Sequence, residues 1–356
     1  MRDGDKEESR TMNGNSTMEA LLFTAIGEQQ LVEVAVPEIE RPGDVLLRVK
    51  SVGVCGSDLH GYTGHSGRRT PPLIMGHEVT GEVVATGREV EDLQVGSRVA
   101  VQPVFYCGLC SQCMAGRRSI CENRLVMGMS APGAYAEYVT WPADNLFELP
   151  NTLSYEAGAL TEPLSVAVHA VGLAHIRPYD TAFVVGAGPI GLLTVAVLRL
   201  TGVKQIAVSD ISDKRLEIAR ALGANLTVNP SKQDLETVIK DNTNGQGVDI
   251  AFEAVGLGVT AQQTLQATRN KGTVVWIGNN ARMIEIDMQA VVTRELAVLG
   301  SYGMNEEEFQ RSIMILADGS VPAEKLITRR AVLSEGPGLF DELLAAPETI
   351  KCVINF

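Results

Sequence analysis

The sequence is short of cysteine and tryptophan, has no excess of positive charge and lacks any long apolar run. Each shortage removes a class of protein. Of 356 residues, 6 are Cys and 2 are Trp. So few cysteines exclude the disulfide-dense scaffold of a small secreted domain, and a chain this long can build a conventional core without one. A formal net charge of -13 and a pI near 5.0 argue against nucleic acid as a partner, which would call for a clustered basic patch. The pairs Arg68-Arg69, Arg117-Arg118 and Arg329-Arg330 are isolated and are expected at the solvated surface. No stretch approaches the roughly 20 apolar residues of a membrane span. The opening segment is polar and charged, without the apolar core of a secretory signal. These absences lead to the expectation of a cytoplasmic protein without a membrane or nucleic-acid partner, carrying a disordered tail over residues 1–17. No repeat of 20 to 50 residues is found.

What is present points to an α/β protein. Hydrophobic residues make up 45% of the chain, and there are 35 glycines, as in a turn-rich globular fold. From Leu21 to about Leu149 short β-branched runs such as Val45–Val52 and Val79–Ala85 are separated by Gly and Pro clusters, predicting a barrel-like β unit. Leu153 to Ala174 reads as helix. Beyond Thr181 the pattern alternates. Strands are predicted at 182–185, 205–208, 248–253 and 273–277, and helices at 190–201 and 214–222, the latter stopped by Gly223. Such alternation implies parallel strands with crossover helices. A further helix is expected at 306–316. The apolar end, 350–356, reads as a strand that rejoins the first domain.

Four of the six cysteines fall within fifteen residues: Cys107, Cys110, Cys113 and Cys121. Paired disulfides would suit a secreted domain, and a redox pair needs two cysteines rather than four. The spacing C-x2-C-x2-C-x7-C, with Gly108 and Gly116 to turn the loop, points to a tetrahedral zinc held by four thiolates. A closed site of that kind stabilises a loop and performs no reaction, so any chemistry lies elsewhere.

The stretch Gly186-Ala-Gly188-Pro189-Ile190-Gly191 follows one predicted strand and opens a helix. Gly186 permits the tight turn, Gly188 lets backbone approach a pyrophosphate, and Gly191 lets helix pack on strand. Asp210 lies nineteen residues after Gly191, at the end of the next strand, where an acid binds ribose hydroxyls. A carboxylate there favours NAD over NADP by repelling a 2′-phosphate, although Lys214 and Arg215 lie close by. The competing reading is a turn packed tightly for structural reasons alone.

The remaining chemistry-bearing residues are Cys55, outside the cluster, His77-Glu78, and Glu162-Pro163. Cys55, His77 and a carboxylate would supply the three protein ligands of an open catalytic zinc. Taken singly, each has a plain structural reading: a buried thiol, a core histidine, a helix-start acid.

Together, the C-G-S-D-x-H segment at 55–60, the G-H-E segment at 76–78, the four-Cys lobe, E-P-L-S-x-x-V-H at 162–169 and the glycine-rich turn resemble the zinc-dependent medium-chain alcohol dehydrogenases, in order, from Met18 to Phe356. Glu78 and Glu162-Pro163 resemble the polyol branch, which includes sorbitol and galactitol-phosphate dehydrogenases. The ethanol-oxidising branch carries Cys where Glu162 stands. The resemblance implies an α/β chain in two parts: a GroES-like β-rich catalytic domain at 18–152 and 303–356, and a doubly wound Rossmann domain at 153–302. It implies two zinc ions per chain. One is structural, and one is catalytic, on Cys55, His77 and either Glu78 or Glu162. It implies that Ser57 takes the proton of the alcohol and that His60 relays it to solvent. It implies NAD(H) against Gly186, Gly188, Pro189, Ile190, Gly191, Asp210, Arg215, Ile277, Gly278, Ser301 and Tyr302. Enzymes of the sorbitol type carry an Arg-Tyr pair after the glycine matching Gly300, whereas this chain reads Gly300-Ser-Tyr-Gly-Met304. The implied substrate is then another sugar alcohol, a sugar or a vicinal diol, with Tyr62 and His65 as candidate pocket residues. Two alternatives stand beside it: L-threonine 3-dehydrogenase, and a non-catalytic zinc- and nucleotide-binding protein. The resemblance also implies a homotetramer or homodimer formed through the nucleotide-binding halves.

Overall fold

The computed structural model describes residues 16–65 and 67–356. Most of the expected N-terminal tail lies outside them. The first part of the chain runs β1 (Thr17–Ala25), β2 (Glu28–Ala35), β3 (Asp44–Val54), α1 (Gly56–Tyr62), β4 (Leu73–Ile74), β5 (Glu78–Thr86), β6 (Arg98–Val101), β7 (Val104–Phe105), α2 (Ser111–Met114), β8 (Leu125–Val126), β9 (Tyr138–Pro142) and β10 (Leu146–Glu148). Two helices follow, α3 (Tyr155–Gly158) and α4 (Thr161–Leu173). Strands and helices then alternate: β11 (Thr181–Val185), α5 (Pro189–Arg199), β12 (Gln205–Ser209), α6 (Asp213–Leu222), β13 (Leu226–Val228), α7 (Leu235–Asp241), β14 (Val248–Glu253), α8 (Gly258–Ala267), β15 (Thr268–Trp276), α9 (Met288–Thr293) and β16 (Ala297–Gly300). The chain ends with α10 (Glu306–Ala317), β17 (Ile327–Val332), α11 (Gly336–Ala345) and β18 (Lys351–Asn355).

Two sheets carry the architecture. The first has the order β10-β6-β5-β3-β18-β17, with β9 also paired to β3. Its core holds Val45, Leu47, Val49, Val99 and Ile354 out of solvent. The apolar C-terminus does return: β18 pairs antiparallel with β3, Cys352 opposite Val54. The second sheet has the order β13-β12-β11-β14-β15-β16, every neighbouring pair parallel. That is the 3-2-1-4-5-6 order of a doubly wound fold, with its crevice where the order reverses, beside β11 and β14.

Local chemistry sets the element ends. Gly223 closes α6 at φ 117°, a left-handed conformation that glycine adopts without strain. The stretch expected as one helix at 153–174 is two. Ser154 caps α3 by accepting from the Ala157 amide, and the chain breaks again between Gly158 and Thr161. At Gly158 a Cβ would lie 2.9 Å from the Thr80 side chain, so the break is packed closely on the first sheet. β1 begins at Thr17, which pairs with Ala35, one residue inside the expected tail. Among the described residues no helix is long and apolar enough to cross a membrane.

Candidate functional site

The four clustered cysteines converge. Their sulfur atoms all lie within 4.8 Å of one another. Cys110 Sγ is 3.5 Å from that of Cys113 and 3.8 Å from that of Cys121, and Cys121 Sγ is 3.6 Å from that of Cys107. Four sulfurs at about 2.3 Å from one zinc would stand about 3.8 Å apart, so the spacing fits that ion. Backbone amides already point at the sulfurs: Cys110 N–H donates to Cys107 Sγ at 3.4 Å and Cys107 N–H to Cys121 Sγ at 3.5 Å. The amides of Leu109 and Cys110 hold the Cys107 thiol down, to about 6, while burial lifts that of Cys113 to about 12. The lobe is tied to the rest of the chain. Tyr106 and Arg118 both reach Glu306 at the start of α10, and Arg124 lies over the Tyr302 ring at 5.2 Å.

A second group forms where β3 ends and β5 begins. The register sets Gly53 opposite Glu78. Cys55 follows β3 as the N-cap of α1, so its sulfur meets His77 and Glu78, with ligand atoms of all three within 4.8 Å of one another. Gly53 is required here, because a Cβ would lie 1.9 Å from Glu78 Oε2. A thiol, an imidazole and a carboxylate make the mixed donor set of a catalytic zinc. Ser57, in the first turn of α1, donates to Cys55 Sγ at 3.3 Å. His60 lies one turn further, half-buried, its pKa lowered by burial and by the nearby His65 and Arg69. Glu162, at the start of α4, stands outside the close trio. Burial lifts its carboxyl to about 7; His77 pulls it down and Glu78 pushes it up. Of the two carboxylates, Glu78 is the one grouped with Cys55 and His77, and Glu162 lies within electrostatic reach of it.

Around this group lies a buried network that the sequence does not announce. Arg69, expected at the solvated surface, is 6% exposed. It donates to Ser57 O at 2.7 Å, Ser57 Oγ at 3.0 Å, Asp58 Oδ1 at 2.6 Å and Gly128 O at 3.1 Å. Tyr135 donates to Asp58 Oδ2 at 2.7 Å. Burial alone would raise the Asp58 pKa, but His77 and Arg69 outweigh it and hold the carboxyl well below the usual range. Among the described residues His77 Nδ1 makes no hydrogen bond, but it lies 3.4 Å from Asp58 Oδ1, within ion-pair distance of the carboxylate. Lys351, 2% exposed, sends its ammonium to both oxygens of Glu78 at 2.7 Å and to Val54 O at 3.1 Å. Burial works against that charge, yet Glu78 keeps its pKa above the ordinary lysine value. A lysine inside an apolar terminal strand was the available signal; for Arg69 there was none. Tyr62 proves to be a core residue rather than a pocket one: it packs on Phe23 and Phe340, and its hydroxyl donates to Gly27 O at 2.7 Å. His65 is exposed.

The crevice of the parallel sheet carries the glycine-rich turn. Gly186 has φ 94°, and at Gly191 a Cβ would lie 1.8 Å from Gly186 O, which explains both glycines. A Cβ on Gly188 would meet nothing within 4 Å, leaving the open space a pyrophosphate would take. Pro189 starts α5, where its missing N–H leaves no bond unmade, with Ile190 next. Asp210 follows β12. Its Oδ2 accepts from the Ala187 amide at 2.7 Å, its Oδ1 from the Ser212 amide at 2.8 Å, and Arg215 Nη1 is 4.0 Å away. Because the strands are parallel, Ile277, Gly278, Ser301 and Tyr302 emerge on the same rim. Ile277 and Gly278 both donate to Glu253 O, and Ser301 keeps a buried hydroxyl without a partner. The buried Glu253 carboxylate, also missed from sequence, accepts from the amides of Val255 and Gly256 and shapes this rim. Arg68, from the first part, donates to Asn279 Oδ1 at 3.0 Å and joins the two halves of the cleft.

Comparison with known proteins agrees with this geometry. Residues 41–151 match the alcohol dehydrogenase GroES-like domain, and residues 189–318 match the zinc-binding dehydrogenase domain. The chain is 33% identical over 347 residues to D-arabitol-phosphate dehydrogenase of Enterococcus avium, covering 96% of this chain and 98% of that one. It is 34% identical over 345 residues to L-threonine 3-dehydrogenase of Symbiobacterium thermophilum, covering 95% and 97%. A Sinorhizobium meliloti 1021 protein solved bound to NADP superposes with a TM-score of 0.88 at 33% identity, over 96% of this chain and 100% of its own. Both domain models match in chain order and the relatives align from end to end, so the chain belongs to the zinc-dependent medium-chain alcohol dehydrogenase family, a GroES-like domain joined to a Rossmann domain.

Proposed function

We propose that this chain oxidises a secondary alcohol of a polyol, a phosphorylated polyol or a vicinal diol to the ketone, with NAD+ as acceptor. The observation that carries the proposal is the convergence of Cys55, His77 and Glu78 beside the Ser57 hydroxyl, within a fold whose crevice is open at Gly188. Cys55, His77 and Glu78 would hold the catalytic zinc, with Glu162 as the alternative carboxylate. Cys107, Cys110, Cys113 and Cys121 would hold the structural one. When bound, the catalytic zinc supplies Lewis acidity that eases loss of the hydroxyl proton. NAD+, lying along Gly186–Gly191 and Asp210 with Ile277, Gly278, Ser301 and Tyr302 nearer its reactive end, supplies the hydride acceptor.

The chain's own residues do the rest. Ser57 Oγ accepts the substrate proton while passing its own onward towards His60. Arg69 fixes that hydroxyl from behind, since its guanidinium holds both the carbonyl and the Oγ of Ser57. His60 suits onward release of a proton, because its lowered pKa keeps the imidazole from holding one. Asp58 lies within ion-pair distance of His77, and Lys351 fixes the Glu78 carboxylate. The same reading puts the chain in the cytoplasm as a homodimer or homotetramer.

A second reading, L-threonine 3-dehydrogenase, has support from the Symbiobacterium relative. The test is NADH formation on sorbitol, galactitol, xylitol, D-arabitol phosphate, 2,3-butanediol and L-threonine, with and without a zinc chelator. Turnover on a polyol or diol, lost with chelator and restored by zinc, is expected. Turnover on L-threonine alone would replace the proposal by the second reading, and none on any, in protein holding two zincs per chain, would end both.

A further inference from the structure

The far end of the nucleotide crevice holds a contact between the two parts of the chain. The turn between α11 and β18 crosses from the first sheet to the β12–α6 turn of the second. Ser212 Oγ lies 3.3 Å from Glu348 Oε2 and donates to it, and Arg215 Nη2 donates to Pro347 O. Ser212 is two residues past Asp210 and caps α6. Resting on the nucleotide-binding reading above, this contact has a chemical consequence. A ribose held by Asp210 directs its 2′-oxygen at the Asp210–Ser212 turn, so a 2′-phosphate must fit beside Ser212.

The charges facing that place are known. Asp210 is on one side and the exposed Glu348 on the other. Asp213 turns away to Lys232 and Asn229. Lys214 is exposed on α6. Arg215, the guanidinium placed to receive a phosphate, is drawn instead to Asp210 and the Pro347 carbonyl. We propose that Glu348 is a second determinant of nucleotide choice: its carboxylate on Ser212 excludes a 2′-phosphate, while the adjoining Pro347 carbonyl takes Nη2 of the arginine that would otherwise welcome one. Selectivity for NAD(H) then resides in both parts of the chain, and an acid at Asp210 is half of it.

Direct titration of the zinc-loaded full chain with NADH and NADPH, followed by nucleotide fluorescence, tests this without a known substrate. Glu348→Gln removes the charge and keeps the shape; Glu348→Arg reverses it. Removing one like charge at this range should tighten NADPH binding by about five- to tenfold, and Glu348→Arg should tighten it further, with NADH affinity held within about twofold. A NADPH-to-NADH affinity ratio unchanged in both variants, at wild-type melting temperature, overturns the inference and leaves the cofactor reading standing. Tighter binding of NADPH than NADH by the wild type also overturns it. Wild-type protein that binds neither nucleotide overturns the cofactor reading and the inference together.

Discussion

Lys351 is an ammonium with almost no access to water, held in a strand whose neighbours are apolar. It is stable there because Glu78 meets it with both oxygens and Val54 supplies a carbonyl. Removing one partner of such a pair leaves an uncompensated charge, which is worse than removing both. Lys351→Met should destabilise the fold by about 3–5 kcal/mol, and adding Glu78→Gln should recover a good part of that loss. Denaturant unfolding of the two variants and the wild type, all zinc-free, checks it, and a single variant as stable as the wild type would show that the pair does not matter. The example also marks what was legible at this scale. Cys55, His77, Glu78 and the four clustered cysteines were visible because their chemistry is rare and their spacing short. The partner of Lys351 was not, because the lysine reaches Glu78 across 273 positions of chain. Arg69 looked like half of a surface pair and proved to be the buried support of Ser57.

Among the elements, the turn from β11 into α5 separates two uses of glycine. Gly191 stands against backbone, its missing Cβ 1.8 Å from Gly186 O, and a carbonyl at that distance cannot step aside. Gly188 stands against open space with an ordinary φ of -73°. Gly191→Ala should therefore destabilise the chain by about 1–3 kcal/mol through overpacking. Gly188→Ala, at the N-cap of α5 where alanine is poorer than glycine, should cost no more than about 1 kcal/mol, yet weaken NADH binding, because the new methyl takes the space of the pyrophosphate. Unfolding curves and NADH titrations of both variants separate the two effects; similar losses of stability in both would show that Gly188 is structural as well. The glycine spacing was readable from sequence because the turn from strand to helix is local, with Gly191 closing on Gly186 five residues before it. The start of β15 was not. The strand begins at Thr268 rather than 273, since Val248 of β14 pairs there, and no local pattern carries that partner.

For the molecule as a whole, the parallel sheet is open and ends at two edge strands, β13 and β16. β16 is its last strand, bonded to β15, and among the described residues no strand pairs with its outer edge. An unpaired edge is a template for another strand unless charge or a covering element blunts it. Here the preceding segment does the opposite, presenting Met283 at 85%, Met288 at 72% and Val292 at 64% exposure. Apolar side chains beside an open edge suit an isologous contact, in which the same patch from two copies meets across a twofold axis. The expected state is thus a homodimer through β16 and α9, which further contacts can double to a tetramer. Nothing in Ala297-Val-Leu-Gly300 distinguishes an edge strand from an interior one, so this surface emerges only from the strand order. Glutamates at Met288 and Val292 together should shift the protein towards monomer in light scattering after size exclusion, at unchanged melting temperature of the monomer fold. A wild-type protein that elutes as a monomer at micromolar concentration would leave the open edge without its partner, and the proposed assembly would fall with it.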